Sequence, residues 1–256
     1  MAAGAISLTS GFIGRERELA ELLSGLADVI AGHGHFFLLN GEPGIGKTRL
    51  ADEFGRIAVM QGVRVVWGPC WEGGGAPAYW PWIQIVRACL AEAGAEQRSA
   101  IFGSELTAHV AQGIAQLLPE LHAANRHTAR DFTPQLPGHE QARFQLFESV
   151  ATLLKTIARM APLVIVIDDL HDADHPSLLL QRFIASQIKD ARILMVSTYR
   201  DTEVRQSPEL SKLIGGTNRG ARLLRGSVVE LHPCRPTHVV CGKSRARERE
   251  SDLHRA

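Results

Sequence analysis

Apolar and polar residues follow two different periods along the chain, and each period predicts one kind of element. Apolar positions recur every three or four residues in segments 15–30, 48–60, 81–93, 96–121, 141–159 and 176–188. This spacing is typical of helices that bury one face. Short apolar or β-branched runs at 35–40, 63–67, 163–167 and 192–198 instead predict buried strands.

Strands and helices alternate along most of the chain, which predicts an α/β fold: a doubly wound, mostly parallel sheet with helices on both faces. The polar, proline-containing segment 123–138 is expected to be an exposed loop that either accepts a protein partner or is simply mobile. After Gly216 the periodicity is lost, apart from one last short strand that residues 228–231 would allow.

The composition is that of an ordinary globular protein, with 45% hydrophobic and 21% charged residues in a chain of 256. No run of 18 apolar residues occurs, and the N-terminus lacks a basic segment followed by an apolar one. A cytoplasmic protein without membrane association is therefore expected.

The net charge is only +1, but it is unevenly distributed. Residues 217–256 hold nine of the 28 basic residues and four of the 27 acidic residues. About the last 20 residues have little to bury and are expected to be disordered. Arg245, Arg247 and Arg249 alternate with acidic residues, which indicates a solvated tail rather than a DNA-binding one.

The cysteines form no C-x-x-C pair and are expected to be reduced thiols; they are Cys70, Cys89, Cys234 and Cys241. The last two are interspersed with His232 and His238. Because paired C-x₂₋₄-C spacing is lacking, a zinc site is not expected there.

Residues 41–48 satisfy the pattern G-x-x-x-x-G-K-[ST], between a predicted strand and a predicted helix. Glycines in such a loop let backbone N–H groups face phosphates, and the helix N-terminus adds a positive dipole. We therefore expect a P-loop that binds Mg-ATP, with Lys47 on the β- and γ-phosphates and Thr48 on Mg²⁺. The predicted nucleotide-binding residues here are Gly41, Glu42, Pro43, Gly44, Ile45, Gly46, Lys47, Thr48 and Arg49.

A magnesium site beside a P-loop needs a carboxylate at the end of a neighbouring buried strand. The run Leu-Val-Ile-Val-Ile before Asp168 and Asp169 predicts such a strand. Asp168 is predicted to face the Mg²⁺ and Asp169 to orient or deprotonate the attacking water, although Asp-Asp is also an ordinary exit into a turn. Arg200 follows another predicted strand and either senses the γ-phosphate or is a solvated surface residue.

Five segments together resemble the signal-transduction ATPases of the AAA-related STAND group: FIGRERELAEL, GEPGIGKTRL, CWEGGGAPAYWPW, DDLHDAD and STYRDTEV. The resemblance is to the N-terminal ATPase modules of large LuxR-type bacterial transcription regulators and of some class III adenylyl cyclases. It covers residues 12 to about 214. It implies an ATP-operated switch.

In that family the segment around Gly-Arg-Glu lines the adenine side of the site, which would assign Ile13, Gly14 and Arg15 to nucleotide binding. From the residues alone, Arg15 would belong to the charged first turn of a helix. The resemblance also places the aromatic segment 70–82 near the nucleotide edge, while its residues favour the packing of a helix onto the sheet.

Family members continue after the STYR strand into a further strand, a helical lid and an output domain, for which residues 217–256 leave no room. We therefore expect a truncated or frameshifted product with an N-terminal tail (1–11), a P-loop ATPase domain (12–216) and a divergent, largely disordered basic tail (217–256). DNA would be reached only through the missing output domain. A protein partner or self-association is expected.

Three functions are compatible with these features: an ATP switch with slow hydrolysis, a DNA-binding regulator in its own right, and a degenerate interaction module without turnover. Slow hydrolysis is expected because the strand ends in Asp-Asp, where vigorous AAA-type ATPases carry Asp-Glu. The sequence has no helix-turn-helix pattern after residue 216. A kinase would need an acceptor-substrate site that the sequence does not reveal, so the ATP switch is the favoured hypothesis.

Overall fold

Five parallel strands form one sheet in the computed structural model, which describes residues 14–73, 75–91, 105–120, 139–200, 211 and 226–231. The strands are β1 (His35–Asn40), β2 (Arg64–Pro69), β3 (Leu163–Asp168), β4 (Ile193–Tyr199) and β5 (Gly226–Glu230). Their order across the sheet is β2-β3-β4-β1-β5. Because all the strands are parallel, their carboxyl ends meet at one edge.

The helices of the described residues begin and end close to the predicted positions. They are α1 (Glu16–Ile30), α2 (Lys47–Met60), α3 (Trp80–Ala91), α4 (Glu105–Leu117), α5 (His139–Met160) and α6 (His175–Gln187), with a 3₁₀ turn at Leu170–Asp172. The predicted helix 96–121 is observed from residue 105, and its first residues lie outside the described ranges. The predicted loop 123–138 lies outside them too.

Helices cover both faces of the sheet, as the unbroken apolar run of β3 predicts. Side chains alternate along a strand, so Leu163, Ile165 and Ile167 belong to the core formed with α3 to α6. Val164 and Val166 belong to the opposite core, formed with α1 and α2. A strand buried on both faces needs apolar residues at every position, which explains the sequence of β3.

The strand β5 confirms the short strand that residues 228–231 would allow, and it begins two residues earlier, at Gly226. Residues 226–230 pair with β1 from Phe36 to Asn40, and Val229 and Leu231 are buried in the α1–α2 core. The sheet therefore includes residues beyond the predicted domain boundary. Residues 232–256, with the clustered His and Cys side chains and the alternating charges, lie outside the described ranges.

Among the described residues, each helix is too short or too polar to cross a membrane.

Candidate nucleotide-binding site

The loop between β1 and α2 has the backbone of a phosphate-binding loop. Gly44 and Gly46 lie in the left-handed region, with φ of 75° and 96°, where a side chain would be strained. The Ile45 N–H donates to the carbonyl of Glu42 at 3.3 Å, and α2 starts directly after Gly46. The first turn of α2 thus points its N–H groups into the loop, at the positive end of the helix dipole.

Lys47 extends back over this loop. Its side chain is buried, and Nζ donates to the carbonyls of Gly41 and Glu42 at 2.8 and 3.0 Å. Burial lowers the pKa of Lys47, the charges of Asp169 and Asp168 raise it, and that of Arg200 lowers it. The three charged residues predicted for Mg²⁺ binding and catalysis therefore lie within electrostatic reach of the lysine.

The predicted Mg²⁺ pair, Thr48 and Asp168, is brought together from positions 120 residues apart. Thr48 Oγ1 donates to Asp168 Oδ1 at 3.2 Å. Thr198 in the neighbouring strand β4 donates to the same oxygen at 2.5 Å. The Asp168 carboxylate therefore lies at the mouth of the P-loop, with two hydroxyl groups fixing one of its oxygens.

Asp169 leaves the strand with a left-handed backbone, at φ 54°. Its N–H donates to Thr198 Oγ1 at 2.9 Å, and it begins the 3₁₀ turn Leu170–Asp172 as its N-cap. Asp and Asn tolerate this conformation better than most residues. The side chain of Asp169 is 40% exposed at the same edge as Lys47.

Thr198 is a site residue that the sequence analysis missed. It is fully buried and contacts both aspartates of the Asp-Asp pair through one hydroxyl. The strand register, with Ile167 beside Ser197, places Thr198 next to Asp168. A polar residue near the end of an apolar strand was the available signal, but the sequence does not reveal the register.

Arg15 lies behind the P-loop. Its guanidinium donates to the carbonyl of Ile45 at 3.0 Å and to Glu18 Oε1 at 3.0 Å, and the residue is only 7% exposed. Arg15 is therefore not a solvated residue of the first helical turn, because it is buried and binds the P-loop backbone directly.

The structure describes three of the four remaining predicted residues, Gly14, Arg49 and Arg200. Gly14 has φ 85° and donates its N–H to Glu16 Oε1 at 3.1 Å, which leads the chain into α1. Ile13 lies outside the described residues. Arg49 is exposed in the first turn of α2. Arg200 follows β4 at the edge where Lys47 lies, and its charge also lowers the pKa of Asp172, although burial leaves that pKa raised overall.

The aromatic segment 70–82 packs helix α3 onto the sheet, as its residues predict. Trp82 is fully buried, and its indole N–H donates to the carbonyl of Ser177 at 3.1 Å. The Tyr79 N–H donates to Asp174 Oδ1 at 3.2 Å. Trp71 is 56% exposed after β2, at the carboxyl edge of the sheet.

A five-stranded parallel sheet, a glycine loop from β1 into a helix and an aspartate at the end of β3 define an α/β P-loop nucleoside triphosphatase fold. Residues 11–196 match the family model described as AAA ATPase domain. The chain therefore belongs to the AAA ATPase domain family and is a nucleotide-binding ATPase module. A comparison with curated proteins finds no match.

Several solved structures are similar to the chain. The Walker-type ATPase of Pyrococcus abyssi is 14% identical, with a TM-score of 0.43 over 84% of this chain and 53% of that one. A DNA replication initiation factor is 13% identical, with a TM-score of 0.41 over 90% and 50%. The DnaC helicase loader is 14% identical, with a TM-score of 0.34 over 86% and 91%. The chain thus spans about half the length of the first two structures.

Proposed function

We propose that this chain binds Mg-ATP at its P-loop and works as a slowly hydrolysing nucleotide switch. The contact between Thr48 and Asp168, at 3.2 Å, is the observation that carries the proposal. It puts two oxygen ligands of the kind that Mg²⁺ prefers beside a loop whose backbone favours phosphate. Magnesium would supply positive charge that neutralises the phosphates.

Each residue of the loop would have a distinct part in nucleotide binding. The N–H groups around Gly44 and Gly46 would donate to the phosphate oxygens, while Thr48 and Asp168 would hold the Mg²⁺. Lys47 Nζ, now bound to the carbonyls of Gly41 and Glu42, would exchange these neutral partners for phosphate oxygens. Such charge-assisted hydrogen bonds are stronger than those to carbonyl groups.

Asp169 is proposed to orient or deprotonate the water, and Arg200 to contact the γ-phosphate. Both charges act on Lys47, which supports their place in the site. The Asp169 side chain is one methylene shorter than glutamate, and turnover below about 1 s⁻¹ is expected, under the usual enzyme range.

The switch is proposed to belong to a bacterial signal-transduction or transcription regulator of the LuxR-type STAND group, acting in the cytoplasm. The support is the set of motifs that resemble that group, together with the contact of Arg15 with the P-loop. In this proposal DNA is reached through an output domain, and a protein partner or self-association relays the state of the nucleotide.

The test is a titration of fluorescent ATP with Mg²⁺ against the wild type and Lys47→Ala. Loss of the charged hydrogen bonds should weaken affinity by roughly 10- to 100-fold. Lys189→Ala is the matched control, because Lys189 is exposed beyond the C-terminus of α6, at the opposite edge of the sheet. Wild-type affinity in Lys47→Ala would refute the phosphate role.

The same preparations separate the switch from a degenerate interaction module. Phosphate release by the wild type should be slow but measurable, and absent in Lys47→Ala. If the wild type gives no heat of binding with ATP and Mg²⁺, the interaction module is the correct alternative.

A further inference from the structure

The imidazole of His171 is buried beside the candidate site without a hydrogen bond. Its side chain is only 3% exposed. Within the described ranges, neither Nδ1 nor Nε2 has a hydrogen-bond partner. Burying an unpaired polar group costs free energy, so such groups in native proteins call for a specific reason.

Two carboxylates lie close to Nε2. Asp172 Oδ2 lies 3.5 Å from Nε2 and Asp169 Oδ1 lies 3.9 Å from it. Asp169 is 40% exposed, whereas the imidazole beneath it is almost fully covered. The ring is therefore covered by protein, while a large part of the Asp169 side chain is exposed.

One hydrogen bond and a left-handed conformation fix the backbone of Asp169. The N–H is held by Thr198 at 2.9 Å, and the left-handed φ of 54° sets the direction of the Cα–Cβ bond. A side-chain rotation that moves Oδ1 by about 1 Å would bring it within hydrogen-bond distance of Nε2. The second oxygen would then be available to the attacking water.

We propose that His171 is a positioning residue for Asp169, its Nε2–H donating to Asp169 Oδ1 when the site holds Mg-ATP. This inference rests on the proposed function, in which Asp169 acts on the attacking water. Asp172 is the competing acceptor, since it lies slightly closer to Nε2 in this structure. Without nucleotide, Nε2 makes a hydrogen bond to neither carboxylate. When nucleotide binds, Nε2–H donates to Asp169.

A double-mutant cycle with His171→Leu and Asp169→Asn tests the proposal. His171→Leu should lower kcat by about tenfold, a part of the roughly 10²- to 10⁴-fold that acid–base groups contribute. The Kd for ATP should stay within about twofold and the melting temperature should not fall, because an unpaired buried polar group is removed. In the Asp169→Asn background, His171→Leu should have no further effect on kcat.

Conservative variants separate a positioning role from a structural one. His171→Gln retains an N–H donor and should recover part of the lost kcat. Asp172→Asn weakens the competing acceptor and should leave kcat unchanged or raise it. A kcat loss from His171→Leu that persists in Asp169→Asn, or no loss at all, would overturn the proposal.

A spectroscopic readout decides the question even where turnover is too slow to measure. Addition of Mg²⁺ and a non-hydrolysable ATP analogue should shift the ¹⁵N resonance of His171 Nε2 in the wild type, and not in Asp169→Ala, which removes the acceptor. If ATP binds and this resonance does not respond, the proposal fails while the ATP site stands. If the wild type does not bind ATP at all, both the proposed function and this inference fail.

Discussion

At the scale of single residues, the hydroxyl of Thr198 connects the two aspartates that follow β3. It donates to Asp168 and accepts from the N–H of Asp169. Replacing it with valine would keep the volume but leave a buried N–H unpaired and remove one donor from the carboxylate. The position of the proposed Mg²⁺ ligand thus depends on a residue that would not itself touch the metal.

We expect Thr198→Val to destabilise the fold by about 1–3 kcal/mol, the cost of an unsatisfied buried group. It should also weaken Mg-dependent ATP binding, because Asp168 becomes free to turn. Urea unfolding and ATP titration with and without Mg²⁺ measure the two effects. Thr198→Ser keeps the hydroxyl and serves as the control. Equal stability and equal ATP affinity of the two variants would show that the hydroxyl has no such role.

The contact of Thr48 with Asp168 could be predicted from sequence, since the P-loop pattern requires a carboxylate on a neighbouring strand. The contact of Arg15 with the P-loop backbone and that of Thr198 with the two aspartates could not be predicted. Both contacts join residues that are far apart in the sequence. Arg15 and Ile45 are separated by 30 positions, and so are Thr198 and Asp168. Periodicity describes each element alone and does not specify such contacts.

At the scale of elements, Asp174 joins the start of α6 to the segment before α3. It is the N-cap of α6 and accepts from Ser177 N at 2.9 Å and Ser177 Oγ at 2.6 Å. It also accepts from the N–H of Tyr79 at 3.2 Å. The turn that follows Asp169 is thereby attached to the aromatic segment.

Asp174→Ala should lower the free energy of unfolding by about 0.5–2 kcal/mol, as expected for the loss of a helix cap. Chemical denaturation measures this change. Asp174→Asn keeps an oxygen acceptor and should lie much closer to the wild type. Equal losses in both variants would mean that the charge, rather than the cap geometry, is responsible.

Helices with a clear apolar period could be predicted within a few residues, as α2 and α6 illustrate. For β5 the sequence allowed only a short strand at 228–231, because three apolar residues in a polar region have no period of their own. Its position beside β1 arises from tertiary pairing, which a local pattern does not encode. For this reason the predicted boundary at residue 216 separated β5 from the sheet that it joins.

At the scale of the whole molecule, β5 covers an edge of the sheet next to the P-loop strand. The Leu231 N–H donates to the carbonyl of Asn40 at 2.8 Å, directly before the loop. A Cβ at Gly41 would lie 3.0 Å from the Leu231 carbonyl oxygen, so the two segments are in close contact. The nucleotide loop is therefore supported from behind by residues near the other end of the described chain.

A chain that ends at residue 216 should melt at least roughly 6 °C below the 256-residue chain. It loses the burial of Val229 and Leu231, each worth about 1.5–3 kcal/mol, and it exposes the backbone of β1. Differential scanning calorimetry measures the shift. A chain ending at residue 236 retains β5 and is the control; equal melting of all three chains would exclude a stabilising role for β5.

The left-handed backbone of Asp169 restricts how this module could evolve toward faster hydrolysis. Lengthening its carboxylate by one methylene looks like a minimal step, yet glutamate lacks the local hydrogen bonds that make this conformation tolerable for aspartate and asparagine. The strain, of order 1–2 kcal/mol, would oppose any gain in reach. If Asp169 acts on the water as proposed, a lineage that acquired glutamate here would gain from a change in the turn after β3, and the shape of the main chain would restrain the rate of the chemistry.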